Sequence, residues 1–197
     1  MTSSRTERSL AFAFIAISVA IGAQSPARSQ APDKADNRAG VEIRIEPASP
    51  VPAGSHLRFI VGTRKRGYLI LLTVDPGGEV RQIFPSLKGE TLPFGANDET
   101  NALKPGRPMA VPDPRNILGN FELFASTPGT AVAIALLSPV PVQVVGLAEL
   151  PATPSDATTA VRNVFEMVKS LRVSPRNERA ALAAPRWSMA AATYVIE

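Results

Sequence analysis

Apolar and charged residues alternate with a period of two over residues 41–46 (VEIRIE), placing Val41, Ile43 and Ile45 on one side and Glu42, Arg44 and Glu46 on the other. That period predicts a half-buried β-strand, ended by Pro47, Pro50, Pro52 and Gly54. Residues 57–62 (LRFIVG) predict a second strand. Residues 68–75 (YLILLTVD) predict a third, and their nearly unbroken apolar run points to burial on both faces. Asp75-Pro76-Gly77-Gly78 has the chemistry of a tight turn, with proline presetting one φ and glycine accepting a positive one. Residues 79–84 (EVRQIF) then return as a partner strand, with Val80, Gln82 and Phe84 expected on one face and Arg81 and Ile83 on the other. The two strands and their turn read as a β-hairpin. Residues 85–105 are polar and rich in turn residues, which predicts an irregular loop. Strands resume at 107–111, at 120–125 (NFELFA) and at 130–138 (TAVAIALLS), the last again apolar enough for burial on both faces.

The period changes after residue 151. Pro151 and Pro154 lead to Ser155, the expected N-cap, and Ala157, Val161, Val164, Phe165, Val168 and Leu171 recur at helical spacing before Pro175. An amphipathic helix over 155–173 follows, with Asp156 near its start and Lys169 and Arg172 near its end, where the helix dipole favours them. Its apolar stripe suits the cover of a sheet better than a membrane surface. A short second helix is expected over 175–184 and a closing strand over 187–196. Seven or eight short strands with one helix before the last predict a mainly β fold. The expected form is an antiparallel β-sandwich of immunoglobulin-like size, with a partly open barrel as the alternative. Strand and helix do not alternate, which argues against a parallel sheet.

The first residues change the picture of where the fold operates. Arg5 and Arg8 precede residues 10–23, fourteen positions without a charge. A bilayer-spanning helix needs about twenty, so residues 1–31 read as a secretory signal peptide, cleaved after Ala31 or after Ala23. Residues 32–40 are polar and aperiodic, a linker, and 41–197 form a single β-rich domain. The expectation is an exported protein, periplasmic or secreted, with no integral membrane span in the mature chain. The full chain has 197 residues, 45% of them hydrophobic and 19% charged, enough to bury a core. It contains no cysteine, which removes disulfides and thiol nucleophiles. The formal charge of +4 falls to +2 once Arg5, Glu7, Arg8 and Arg28 leave with the leader. Near-neutrality gives no support for nucleic-acid binding, and Arg64-Lys65-Arg66 reads as a solvated turn rather than a contact for an anionic surface.

Candidate chemistry is sparse. His56 is the only histidine; a Ser-His-acid triad would have to use it, and its surroundings lack the glycine pattern of a nucleophile elbow, so an exposed turn residue is expected. One histidine without cysteine cannot furnish a usual zinc site. Asn97, Asp98, Glu99 and Asn101 could offer oxygens to calcium, but not at the regular loop spacing. Glu46, Asp75, Glu90, Asp113 and Glu122 stand singly at strand ends and turns. No catalytic residue, metal or cofactor is therefore assigned.

Gly67-Tyr68-Leu69-Ile70-Leu71-Leu72-Thr73-Val74-Asp75, followed by Gly78, Val80 and Ile83-Phe84-Pro85-Ser86, resembles the strand, turn and exit of the bacterial domain of unknown function numbered 4384. Phe121-Glu122-Leu123, Pro128-Gly129 and residues 135–141 (ALLSPVP) resemble its later part, so the likeness runs over about 41–145. Ser86 departs from the asparagine usual at that place. The motif residues Gly67, Tyr68, Asp75, Gly78, Phe84 and Pro85 read as fold-forming: Gly67 turns the chain into the central strand, Tyr68 buries its ring with its hydroxyl paired, and Phe84-Pro85 packs and ends the hairpin. The resemblance implies a non-enzymatic β module of the kind appended to kinase-like, caspase-like or envelope-associated proteins, and it brings no catalytic residue. The functional expectation is a module binding an envelope protein or polymer; the alternative is a carboxylate-dependent hydrolase with its site in the 85–105 loop.

Overall fold

The two longest apolar runs pair with each other. Strand β3 (Gly67–Val74) lies antiparallel beside β7 (Gly129–Ser138), in register from Tyr68↔Ser138 to Val74↔Val132. β8 (Ser188–Ile196) continues the sheet beyond β7, and β4 (Val80–Phe84) continues it beyond β3, giving the order β4-β3-β7-β8. The two-residue β5 (Ala102–Leu103) pairs with the start of β3, on the same edge as β4. A second antiparallel sheet has the order β1-β2-β6, from β1 (Glu42–Glu46), β2 (Arg58–Gly62) and β6 (Met109–Val111). One helix, α1 (Ala157–Ser170), precedes β8. These are the elements of a computed structural model that describes residues 37–86, 100–116, 119–142, 156–170 and 187–197. The expected leader 1–31, the middle of the 85–105 loop and the expected helix 175–184 lie outside the described residues.

The pleat sorts the side chains into two cores. From β3, Leu69 and Leu71 point toward the small sheet and meet Phe59 and Val61 of β2, whereas Ile70, Leu72 and Val74 point the other way, onto Ala160, Val164, Met167 and Val168 of α1. β7 repeats the division, with Ala131, Ala133, Ala135 and Leu137 between the sheets and Val132, Ile134 and Leu136 under the helix. The layers are thus small sheet, large sheet and helix. This is the sandwich that the sequence predicts, and residues 68–75 and 130–138 are buried on both faces as expected. The hairpin turn also forms as read: Gly78 N donates to Asp75 O at 2.9 Å, Glu79 N donates to Asp75 Oδ1 at 2.8 Å, and Gly78 takes a φ of 87°.

Local chemistry overrules the pattern in several places. β3 pairs Leu71 with Phe84 but Leu72 with Gln82, so Ile83 is an extra residue, a β-bulge. The bulge reverses the parity of β4: Val80 packs under α1, while Ile83 and Phe84 join the inter-sheet core, so Val80 and Phe84 do not share a face. Helix α1 is capped by Asp156, whose Oδ1 accepts from Thr159 N at 2.8 Å and whose Oδ2 accepts from the Thr159 hydroxyl at 3.0 Å; Ser155, the expected N-cap, lies outside the described residues. The expected strand 120–125 is reduced to one bridge, His56↔Phe124. Its pairing segment bends through a turn, where Ser55 N donates to Pro52 O, and the two segments are joined by Leu57 N donating to Leu123 O, Ala125 N to Ser55 O and Gly54 N to Ala125 O. Residues 37–40, expected in the linker, pack into the domain: Ala39 is buried, its N–H donates to Ser188 Oγ at 3.0 Å and its carbonyl accepts from Arg64 N at 2.9 Å. The end of the 85–105 loop is equally ordered, with Asn101 and Leu103 wholly buried.

Candidate functional site

Because odd-numbered residues of β1 and β2 fill the inter-sheet core, the even-numbered ones form the outer face of the small sheet. Glu42 stands opposite Gly62, Arg44 opposite Ile60, and Glu46 opposite Arg58; Ile60 in turn faces Ala110 of β6. Two turns rise at the margins of this face. On one side the chain passes from Thr63 into Arg64, whose side chain lies across Gly40 so closely that a Cβ there would come within 2.8 Å of Arg64 Cδ. On the other, Pro105-Gly106 makes a β-turn closed by Arg107 N donating to Lys104 O at 3.1 Å, with Gly106 at a φ of 69°. Between the turns lies an open groove of about 400 Å³.

Ile60 and Gly62 form its floor, and Arg44, Arg64, Arg107 and Glu42 stand around it. A Cβ built on Gly62 would meet nothing within 4 Å, so the groove has open space where the side chain is missing. Arg64 Nη2 reaches Glu42 Oε1 at 3.7 Å, a solvated pair worth little to stability. Among the described residues, neither Arg44 nor Arg107 has a carboxylate at ion-pair distance. A guanidinium carries five N–H donors, accepts nothing and stays protonated throughout the range in which proteins fold. The groove can therefore hold a ligand's acceptors.

The residues singled out from the sequence fall elsewhere. Gly67 does not turn the chain; it is required because a Cβ would lie 2.6 Å from Leu137 Cγ and 2.7 Å from the Ser138 carbonyl, across the β3–β7 ladder. Tyr68 is half-buried, Phe84 and Pro85 are buried, and Asp75 and Gly78 build the hairpin turn. All six serve the large sheet. His56 is exposed, its ring centroid 4.4 Å from that of the exposed Phe124. Of the four possible calcium ligands only Asn101 is described; its Nδ2 donates to Leu69 O at 3.0 Å and to Val142 O at 2.7 Å, binding the loop end to β3. Asp113 is held below the usual carboxylate range by the backbone N–H of Arg115 and then by its guanidinium. Glu46 and Glu122 are exposed, and Glu90, Asn97, Asp98 and Glu99 lie outside the described residues.

The groove itself went unread. Its one signal is parity: on the outward side of residues 57–62, Ile60 and Gly62 stand where a solvated strand face would carry polar side chains. No helix among the described residues is long and apolar enough to cross a membrane. Residues 51–141, from the turn before β2 to just beyond β7, match the family model described as Domain of unknown function (DUF4384). No curated protein and no solved structure matches the chain.

Proposed function

We propose that this chain, whose residues 51–141 belong to the DUF4384 family, is an exported, non-enzymatic β-sandwich module that binds an envelope protein or polymer in the groove on the outer face of β1-β2-β6. The observation that carries this reading is the groove: a concave surface with an apolar floor and arginines around it, on the one face of the small sheet that the core does not use. Groups that stay charged and move no proton suit retention of a ligand better than acid–base chemistry. The leader-like residues 1–31 support export.

The test is retention of envelope material by the immobilised domain, wild type against Gly62→Val. The valine projects into the groove from a position where its Cβ clashes with nothing, so it blocks the site with the fold intact. Retention by the wild type and loss in the variant is expected. Equal retention by both would remove the groove as the binding site, and polymer hydrolysis abolished by Asp98→Asn or Glu99→Gln would replace the module with the hydrolase.

A further inference from the structure

Resting on that reading, we infer the ligand class: the groove takes an extended anionic polymer and engages consecutive phosphate or carboxylate groups with Arg44, Arg64 and Arg107. Three guanidiniums against the single carboxylate of Glu42 make the groove positive in a chain whose overall charge is small. The attraction is therefore local rather than a property of the whole surface. Arg44 and Arg107 have no acidic partner among the described residues, and the exposed 3.7 Å contact of Arg64 with Glu42 is weak enough for a ligand oxyanion to replace. Arginine forks match planar or tetrahedral oxyanions with paired N–H donors.

Shape argues for a chain molecule. The floor lies between the bend at Arg64, whose side chain lies across Gly40, and the Pro105–Gly106 turn, so a flat protein surface would rest on the rims, whereas a single chain can reach Gly62. The three arginines come from separate segments: β1, the turn after β2, and the turn before β6. All three line the same groove and offer it several points of positive charge. Ile60 supplies an apolar strip on which the uncharged backbone of such a polymer can lie.

The experiment is a calorimetric titration of the whole exported chain with long-chain polyphosphate and, separately, polygalacturonate, at two salt concentrations. The two arms distinguish phosphate from carboxylate. Binding by the wild type to at least one polymer is expected, weakening as salt rises with a log–log slope of about two to three, as for release of counterions by roughly three contacts. Arg44→Gln and Arg107→Gln should each weaken it about tenfold and lower the slope by about one. Gly62→Val leaves the charge unchanged and should weaken it by more than about tenfold through steric exclusion. Arg162→Gln removes the same charge from the exposed side of α1, on the far side of the large sheet, and should leave affinity within about twofold. Failure to bind either polymer, equal losses in the Arg162 and Arg44 variants, or an unaffected Gly62 variant would each overturn the inference. Should the chain retain a neutral polymer or an acidic protein instead, with Gly62→Val abolishing that retention, the binding groove stands and the anionic-polymer assignment falls.

Discussion

The large and small sheets use the same alternation for opposite ends. In the large sheet both parities of β3 and β7 are apolar, one set of side chains packed between the sheets and the other beneath α1. In the small sheet only one parity is buried, and the other carries Glu42, Arg44, Arg58 and Ile60 to the surface. A strand enclosed on both faces has no surface left to meet a ligand. A strand enclosed on one face keeps the other available while its inward side chains hold it in register. Scaffold and proposed binding surface therefore fall on different sheets, and substitutions should separate stability from binding along that division.

The largest effect is expected under the helix. Ile134 is wholly buried at the centre of β7 among the residues packed on α1. Ile134→Ala should cost about 2–5 kcal/mol by loss of burial and formation of a cavity, seen as a lowered midpoint in urea unfolding. Retained stability would mean that α1 does not close this face tightly.

A second test addresses the layer between the sheets. The Tyr194 ring of β8 meets Phe59 of β2 edge to face, with centroids 6.1 Å apart, and burial pushes its hydroxyl up to about 12, with the negative charge of Asp75 adding to the effect. A folded-state value above the unfolded one of about 10 means that the neutral phenol is the form the fold prefers. Its contribution is complete below about pH 10 and is lost as pH rises toward 12, an effect on the order of 2–3 kcal/mol. Unfolding measured across that window should show the decline, and Tyr194→Phe should flatten it. A decline unchanged in the phenylalanine variant would place its origin in another group.

How far these layers were legible in the sequence depends on range. Period-two and period-3.6 patterns are local, so β1, β3, β7 and α1 could be read from spacing, and the two unbroken apolar runs announced burial on both faces. The bulge at Ile83 could not, because it is defined against Leu71 and Leu72 on the partner strand and reverses the face of every residue after it. Residues 120–125 alternate well but have only a bent segment to pair with, so their pattern overstated the strand. The groove is the most distant case: Arg44, Gly62 and Arg107 are neighbours only after β1, β2 and β6 have assembled. The hairpin motif, by contrast, was conspicuous in sequence because tight turns and ladder contacts constrain residue type strongly, and for that reason it marks the scaffold.

Two glycines state the division most sharply. Gly67 begins β3 in the large sheet, where a Cβ would press on the Ser138 carbonyl at 2.7 Å as well as on Leu137; backbone cannot yield as a side-chain tip can. Gly67→Ala should cost about 1–3 kcal/mol, the range for forced overpacking. Gly62 ends β2 in the small sheet, where a Cβ has open space and φ lies outside the left-handed region. There the methyl group restricts the unfolded chain without straining the folded one, so Gly62→Ala should raise stability by about 0.4–1 kcal/mol. The paired measurement is two urea unfolding curves against wild type, with midpoints displaced in opposite directions. If Gly62→Ala were also destabilising, the groove floor would be packed rather than open, and the small sheet would be scaffold on both faces like its partner.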